Sequence, residues 1–160
     1  MSEIISKDDV DQLRFVLNYA QNSQYIDCVQ QLQGELSELE QSDFPVTHHF
    51  APNVYARQMD AKAGTLVISK MHATEHLNFL MKGSLTIMTE DGIQFLQAPA
   101  IIKSKAGTKR VGYFHEDTTW VTVHPTEETD LDAIENLVIV PQDSEIDFLK
   151  QIKGELPCLG

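Results

Sequence analysis

The sequence predicts a mainly β domain, a sandwich or barrel of short strands that follows a helical N-terminal segment. From Val46 onward, short apolar and β-branched runs are separated by Gly, Pro, Asp and Asn, as strands are by turns. The pair Asp91-Gly92, after the alternating run SLTIMT, predicts a β-hairpin. We predict three parts: a helical appendage over residues 1–45, a barrel over 46–140, and a C-terminal helix and tail over 141–160.

The N-terminal segment predicts a helical hairpin. Residues 7–22 carry one apolar stripe behind a possible capping residue, Ser6. A second helix is predicted from about Ser23 to Gln41, with apolar residues repeating as in a short coiled coil. These residues are Tyr25, Val29, Leu32, Leu36 and Leu39. Two interpretations stay open for this stripe, packing on the protein's own strands or pairing in a homodimer, and we expect a homodimer.

The C-terminal third predicts mixed structure. Residues 130–135 suggest a helical turn, the run LVIV at 137–140 suggests a last strand, and residues 144–152 suggest a short helix.

Composition narrows the class of partner. The chain of 160 residues has 12 Lys and Arg against 24 Asp and Glu, a net charge of −12. Nucleic-acid duplexes and anionic membranes attract clustered basic residues, so neither is an expected partner. The N-terminus has no apolar core like that of a signal peptide, and no apolar run has membrane-spanning length. Cys28 and Cys158 lie far apart, which fits a reduced compartment, so we expect a cytoplasmic protein.

The stretch from Gly64 to Gly83 carries the most specific motif. It predicts two strands joined by a tight turn, with His72 and His76 at the turn. It resembles the first motif of the cupin family, G-x5-H-x-H-x3-E-x6-G. Both glycines and the second histidine, His72, match this pattern. Lys70 stands in place of the first histidine, and His76 stands in place of the glutamate.

A second stretch resembles the second cupin motif, G-x5-P-x-G-x2-H-x3-N. Gly107 matches the central glycine, which a sharp turn needs. Arg110 replaces the metal-ligand histidine, Lys105 the proline, Phe114 the asparagine and Pro99 the opening glycine. A broader likeness, from about residue 48 to residue 139, is to small cupin-like proteins of bacteriophages. It implies a double-sheet jelly-roll barrel.

The resemblance places four family metal positions inside the barrel: Lys70, His72, His76 and Arg110. Because alternate residues of a strand share a face, the residues expected to point inward on these two strands are Leu66, Ile68, Lys70, His72, His76, Asn78 and Leu80. Protonated Lys and Arg have no lone pair for a metal. We therefore expect no metal cofactor. The alternative is one divalent ion such as Fe, Mn or Zn, held by His72 and His76 with Glu75, His115 or His124 as a third ligand.

A cationic interior in an acidic protein favours a small anionic ligand, because the ligand is repelled elsewhere. Arg matches phosphate oxygens bidentately, so a nucleotide is the expected ligand. We predict His72 and His76 as a catalytic acid–base pair. The predicted ligand-binding residues are Lys70, Arg110, Asn78, Trp120 and His124.

Three functions follow as hypotheses. The first is a metal-independent phosphodiesterase that cleaves a small ribonucleotide, such as a cyclic one, with a neighbouring hydroxyl as nucleophile. For a phage-encoded protein, host immune signalling nucleotides are the natural substrates, which makes an anti-defence role the expectation. The second is a protein that sequesters such a ligand without cleaving it. The third is a metal-dependent cupin enzyme, a dioxygenase or isomerase.

Several residues also have simpler interpretations. Arg110 can form a salt bridge to Glu116 or Asp117, and His72 and His76 can fill a hydrogen-bonded interior. Surface or edge positions are expected for a further set of basic residues. This set is Lys103, Lys105, Lys109, His48, His49 and His115.

For one predicted strand, the sequence does not decide which residues face the core. Trp120, Thr122 and His124 alternate with Val121 and Val123, and either set can face the core. Tyr55 and Arg57 share one face of an earlier strand and are weaker candidates for the pocket rim.

Overall fold

The computed structural model describes residues 25–154, and in this range nine strands form two antiparallel sheets. The helices are α1 (Tyr25–Ser37), α2 (Leu131–Val138) and α3 (Glu145–Ile152), with a 3₁₀ turn at Gln142–Ser144. The strands are β1 (Val46–Ala51), β2 (Val54–Ala61), β3 (Leu66–Ile68), β4 (His76–Lys82), β5 (Ser84–Thr89), β6 (Gly92–Gln97), β7 (Ala100–Ser104), β8 (Val111–Phe114) and β9 (Thr118–Pro125).

The two sheets share one apolar core. The five-stranded sheet has the order β1-β2-β9-β4-β7, and the four-stranded sheet has the order β3-β8-β5-β6. Leu80 and Trp120 from the first sheet pack with Leu85 and Phe114 from the second, and all four are buried. The predicted mainly β, double-sheet fold is therefore confirmed, with a helix before the strands and helices after them. The hairpin predicted at Asp91-Gly92 is also confirmed, as the β5–β6 turn.

Helix α1 covers the outer face of the four-stranded sheet. Val29 is fully buried against Met88 and Val111, and the Tyr25 hydroxyl donates hydrogen bonds to the carbonyls of Met88 and Lys109. The second predicted helix is thus present and ends at Ser37 rather than Gln41, and the Tyr25 and Val29 end of its apolar stripe packs on the protein's own strands. The homodimer remains a prediction. The first predicted helix lies outside the described residues.

The C-terminal region differs from the prediction in one element. The predicted helical turn is a complete helix, α2, in which the Asp130 side chain accepts a hydrogen bond from the Ala133 amide. This helix includes Leu137 and Val138, so the strand predicted at 137–140 is wrong. Only Ile139 pairs as a strand residue, in a single bridge to His72. The predicted terminal helix is confirmed as α3.

A buried ion pair ties both flanking helices to the sheets. The Lys109 ammonium lies 2.9 Å from a Glu145 carboxylate oxygen, and both side chains are at most 2% exposed. The same ammonium also donates to the Gln33 side chain on α1, at 2.9 Å. Lys109 is therefore not the solvated turn residue that the sequence suggested. Removing one partner of such a pair leaves an unpaired buried charge, which is strongly destabilising.

The two motif glycines have left-handed backbones, with φ of 81° at Gly64 and 87° at Gly83. Their surroundings differ. A Cβ at Gly83 would lie 2.4 Å from Thr118 Oγ1 and 2.5 Å from the Asp117 carbonyl oxygen, whereas a Cβ at Gly64 would have no neighbour within 4 Å.

Gly83→Ala is therefore expected to destabilise the protein more than Gly64→Ala. The left-handed conformation costs about 1–2 kcal/mol for Ala at either site. Gly83→Ala adds overpacking against the backbone, typically about 1–3 kcal/mol more. Denaturant unfolding of both variants measures the difference. Equal losses of unfolding free energy would contradict the close approach at Gly83.

Candidate functional site

Two strands of the five-stranded sheet build the site from alternating residues that face the sandwich interior. On β4, His76, Asn78 and Leu80 are at most 4% exposed, as predicted. On β9, the structure settles which residues face inward, because Trp120, Thr122 and His124 are all buried. Val121 and Val123 lie on the opposite face and are half-buried.

Lys70 does not reach this interior, so its predicted inward placement is wrong. Strand β3 ends at Ile68, and the alternation on which the prediction depended does not continue to residue 70. The Lys70 side chain is 66% exposed and forms an ion pair with Glu135 on α2. Within β3, Val67 packs against the central core, whereas Leu66 is exposed.

Three histidines meet inside the sandwich. The ring centroids of His72 and His76 are 4.3 Å apart, those of His76 and His124 are 4.9 Å apart, and those of His72 and His124 are 5.3 Å apart. The Tyr55 ring stacks on His124 from the other side, with centroids 6.4 Å apart. The structure thus brings together both predicted catalytic residues and one predicted ligand-binding residue. We call His72, His76 and His124 the histidine cluster.

Each histidine of the cluster has one ring nitrogen that is buried without a hydrogen-bond partner. These atoms are His72 Nδ1, His76 Nε2 and His124 Nδ1. The tautomer of His76 follows from its other nitrogen, because Nδ1 lies 2.9 Å from the Thr74 carbonyl oxygen, which can only accept. His76 Nδ1 therefore carries the proton, and Nε2 presents a lone pair to the interior.

The cluster is neutral at physiological pH. Burial, with smaller contributions from His76, His124, Arg110 and Arg57, lowers the pKa of His72 to about 3. Burial and the neighbouring His76 lower the pKa of His124 to about 4. Burial also lowers the pKa of His76, against a raising effect of its bond to Thr74. An acid–base pair needs one protonated imidazole, and the low pKa values disfavour one within the cluster at neutral pH.

Arg110 lies beside the cluster at the end of a buried hydrogen-bond network. Its Nη2 donates to Ser104 Oγ, and Ser104 Oγ also accepts from Asn78 Nδ2 at 2.7 Å. Asn78 Oδ1 accepts from Trp120 Nε1 at 3.2 Å and from Thr122 Oγ1 at 3.1 Å. Asn78 Nδ2 also donates to a backbone carbonyl, so all four hydrogen-bonding positions of the Asn78 amide are used. The polar atoms of Asn78 and Trp120 therefore hold the network that positions Arg110.

The Trp120 ring also supports the guanidinium directly. Arg110 Cζ lies 5.5 Å from the ring centroid, within the range of a cation–π interaction. Arg110 therefore covers one face of the Trp120 ring, where the ring of a ligand would otherwise stack.

The Arg110 guanidinium has no carboxylate partner among the described residues. The salt bridge considered from sequence is absent, because Glu116 accepts from Ser84 Oγ and Asp117 pairs with Lys62. Arg110 Nε is buried without a hydrogen-bond partner. Burial lowers the pKa of Arg110 to about 10, so it remains a cation at neutral pH. It is a half-buried positive charge, and its Nε donor has no protein partner.

A cavity of about 730 Å³ opens beside Arg110. Its walls are the segment from residue 103 to residue 110, the start of α1, helix α3 and the β5–β6 hairpin. Six of the chain's twelve Lys and Arg residues line it. They are Lys103, Lys105, Lys109, Arg110, Lys150 and Lys153.

Part of this positive charge is not neutralised within the described chain. Lys103 pairs with Glu75 at 3.3 Å, and Lys153 pairs with Glu90 at 2.6 Å. Lys105 and Lys150 form no ion pair with any described residue. The cavity therefore has a cationic wall in a protein of net charge −12. The histidine cluster does not line this cavity but adjoins it, since His76 is the strand partner of Ser104, which does.

A divalent metal, the alternative cofactor, would need a third protein ligand beside His72 and His76. Among residues 25–154, no group of three or more His, Cys, Asp or Glu side chains is placed to hold a metal ion. Glu75 pairs with Lys103 at the surface.

The remaining histidines lie away from the cluster. His115 is buried, not on a surface turn as expected, and contacts Thr86 at 2.8 Å. His48 and His49 lie on the edge strand β1, as expected, and His48 Nδ1 is 2.8 Å from the Tyr55 hydroxyl. Arg57 is exposed and Tyr55 is buried.

Sequence reasoning missed most of the cavity lining. The basic cluster at 103–110 was visible, but nothing linked it to Lys150 and Lys153 on α3 or to the β5–β6 hairpin. Ser104, which joins Asn78 to Arg110, carried no signal at all.

Comparisons with known proteins give fold-level likeness. No family model and no curated protein matches the sequence. Structural neighbours include a cupin-2 domain containing protein from Shewanella frigidimarina, with 17% identity, 59% of this chain and 91% of that chain covered, and a TM-score of 0.42. KdgF from Halomonas sp. has 11% identity, coverage of 61% and 94%, and a TM-score of 0.47.

An uncharacterized conserved protein with a double-stranded β-helix domain from Klebsiella pneumoniae has 15% identity, coverage of 59% and 83%, and a TM-score of 0.47. The conclusion about fold here comes from the two sheets themselves. No helix among the described residues is long and apolar enough to cross a membrane.

The buried neutral histidines predict a loss of stability in acid. Their pKa values are lower in the folded protein than in the unfolded chain, so the unfolded chain binds more protons below about pH 6.5. The loss begins near that pH and continues until the pH falls to the folded values, about 4 for His124 and about 3 for His72.

We expect His124 alone to account for roughly 2 kcal/mol of this loss between pH 7.5 and pH 5. Denaturant unfolding at the two pH values measures this loss, and His124→Gln should reduce the pH dependence of the free energy of unfolding. His49→Gln, at an exposed position on the edge strand, is the matched control for the loss of an imidazole. The same pH dependence in wild type and His124→Gln would contradict the neutral cluster.

Proposed function

We propose that the protein binds a small phosphorylated ligand, of nucleotide size, in the cationic cavity beside Arg110. One observation carries the proposal: a half-buried guanidinium on a cavity wall, held by Ser104 and Trp120, that has no carboxylate partner among the described residues and has an unpartnered Nε. A buried charge without a partner is costly, and a bound anion compensates it.

The surroundings of Arg110 support a phosphate group over a neutral ligand. Lys105 and Lys150 line the same cavity and have no ion-pair partner in the described chain. Guanidinium donors match phosphate oxygens in a bidentate geometry. Elsewhere the excess of 24 acidic over 12 basic residues repels anions, which directs a phosphorylated ligand to this cavity.

The volume of about 730 Å³ is in the usual range for small-molecule sites, and apolar side chains such as Ile87 and Ile102 line part of it. A ligand with both a phosphate and an apolar ring suits such a lining better than inorganic phosphate does. We therefore place binding, and sequestration of the bound ligand, first among the functions considered.

A second candidate is cleavage of a phosphodiester, and the histidine cluster is the observation that favours it. His76 Nε2 presents a lone pair that can take the proton of an attacking ribose hydroxyl. The leaving oxygen then needs a proton from a second imidazole. The low pKa values of His72 and His124 leave no such acid in the free protein, although a bound phosphate raises the pKa of an adjacent histidine.

Binding is tested by titration calorimetry with adenosine 5′-monophosphate and with pyrophosphate at low salt. We expect wild-type protein to bind, and Arg110→Gln to weaken binding at least about tenfold, the equivalent of one charge-assisted hydrogen bond. Arg110→Lys keeps the charge without the bidentate geometry and should fall between them. Lys62→Gln removes an exposed cation outside the cavity and is the matched control. Equal weakening by Arg110→Gln and Lys62→Gln would disprove a site at Arg110.

Cleavage is tested by incubating the protein with 3′,5′-cyclic AMP and with a cyclic dinucleotide, followed by phosphorus NMR. The binding proposal predicts that each ligand is recovered unchanged, because no protonated imidazole is ready to serve as the acid. Products that form with wild type and vanish with His76→Gln would instead establish the second candidate. Products that persist with His76→Gln would point to a contaminating enzyme.

A further inference from the structure

The cavity has a second wall whose chemistry is opposite to that of Arg110. The β5–β6 hairpin supplies Thr89, Glu90, Asp91 and Gln94, which are acidic or carry neutral hydrogen-bonding groups. The facing wall, from the 103–110 segment and α3, supplies the lysines and Arg110. A ligand that consisted of phosphate alone would gain nothing from the first wall and would be repelled by its carboxylates.

Gln94 is placed by the register of the hairpin. It pairs with Ile87 across β5 and β6, so the two side chains lie on the same face of the sheet. Ile87 belongs to the core between the sheets, and therefore Gln94 also faces the interior side, at the cavity mouth. Its amide forms no hydrogen bond with any described residue, which leaves the amide oxygen and both amide hydrogens for a ligand.

Asp91 adds an acceptor beside it. Its backbone amide donates to Thr89 Oγ1, which holds the turn, while its carboxylate forms no ion pair in the described chain. Glu90 differs, since it is paired with Lys153. The hairpin thus offers one free carboxylate and one free amide, both at the cavity.

We infer that Gln94 and Asp91 form a subsite for the nucleoside part of the ligand, an inference that rests on the proposed function. A planar amide such as that of Gln94 pairs with the hydrogen-bonding edge of a nucleobase, as in the pairing of Gln with adenine. The Asp91 carboxylate accepts hydrogen bonds from a base N–H or a ribose hydroxyl. Ile87 and Ile102, on the cavity wall between the two sides, offer an apolar surface to the base.

The arrangement orients the ligand. The phosphate lies toward Arg110 and the lysines that form no ion pair in the described chain, and the base lies toward the hairpin, because a phosphate at the hairpin would meet the like charge of the Asp91 carboxylate. Gln94 and Asp91 therefore govern which phosphorylated compounds bind, whereas Arg110 governs whether a phosphate binds at all.

Titration calorimetry with the four ribonucleoside 5′-monophosphates and ribose 5-phosphate tests this inference. All five carry the same phosphate and ribose, and only the base differs. We expect at least one nucleotide to bind about tenfold or more tightly than ribose 5-phosphate. Gln94→Ala should reduce that preference to threefold or less and leave the affinity for ribose 5-phosphate unchanged. Asp91→Asn should weaken the same nucleotide.

Gln97→Ala is the matched control, because Gln97 lies on the same strand but does not line the cavity. Equal affinity of wild type for ribose 5-phosphate and all four nucleotides would overturn the subsite and leave phosphate binding at Arg110 standing. So would equal effects of Gln94→Ala and Gln97→Ala. A failure of all five compounds to bind would overturn both the subsite and the proposed function.

Discussion

The site depends on one constraint: the half-buried Arg110 guanidinium has no carboxylate partner among residues 25–154. A buried network of Trp120, Thr122, Asn78 and Ser104 fixes its position, and every hydrogen-bonding group of the Asn78 amide is used in doing so. Such a network rigidifies the interior when it is fully satisfied. The positive charge of Arg110 remains available to an anion. The three neighbouring histidines add no further positive charge, because their low pKa values favour the neutral imidazole.

A second buried charge has the opposite role. Lys109, the residue before Arg110, is neutralised by Glu145 on α3 and also contacts Gln33 on α1. This ion pair places α1 and α3 against the 103–110 segment, and those elements are walls of the cavity. These two adjacent residues therefore have different roles. Lys109 holds the walls of the cavity together, and Arg110 is available to a ligand in the cavity.

The sequence predicted the sheets better than the site. Strand alternation placed His76 and Asn78 inward because β4 alternates regularly from His76 to Leu80, before its register shift, and the turn at Asp91-Gly92 had a strong local signal. The same reasoning failed for Lys70, because β3 ends at Ile68 and alternation has no meaning beyond a strand end. Local patterns also could not show that Lys109 meets Glu145, 36 residues away, since that contact depends on the packing of α3.

The central claim is that a phosphate group binds at Arg110, and a crystal structure of the protein grown with adenosine 5′-monophosphate tests it most directly. The account predicts a nucleotide in the cavity with phosphate oxygens within hydrogen-bond distance of the Arg110 guanidinium, about 2.7–2.9 Å from its nitrogens. The base should lie toward Gln94. A nucleotide bound elsewhere, with Arg110 turned to a protein carboxylate, would contradict the claim.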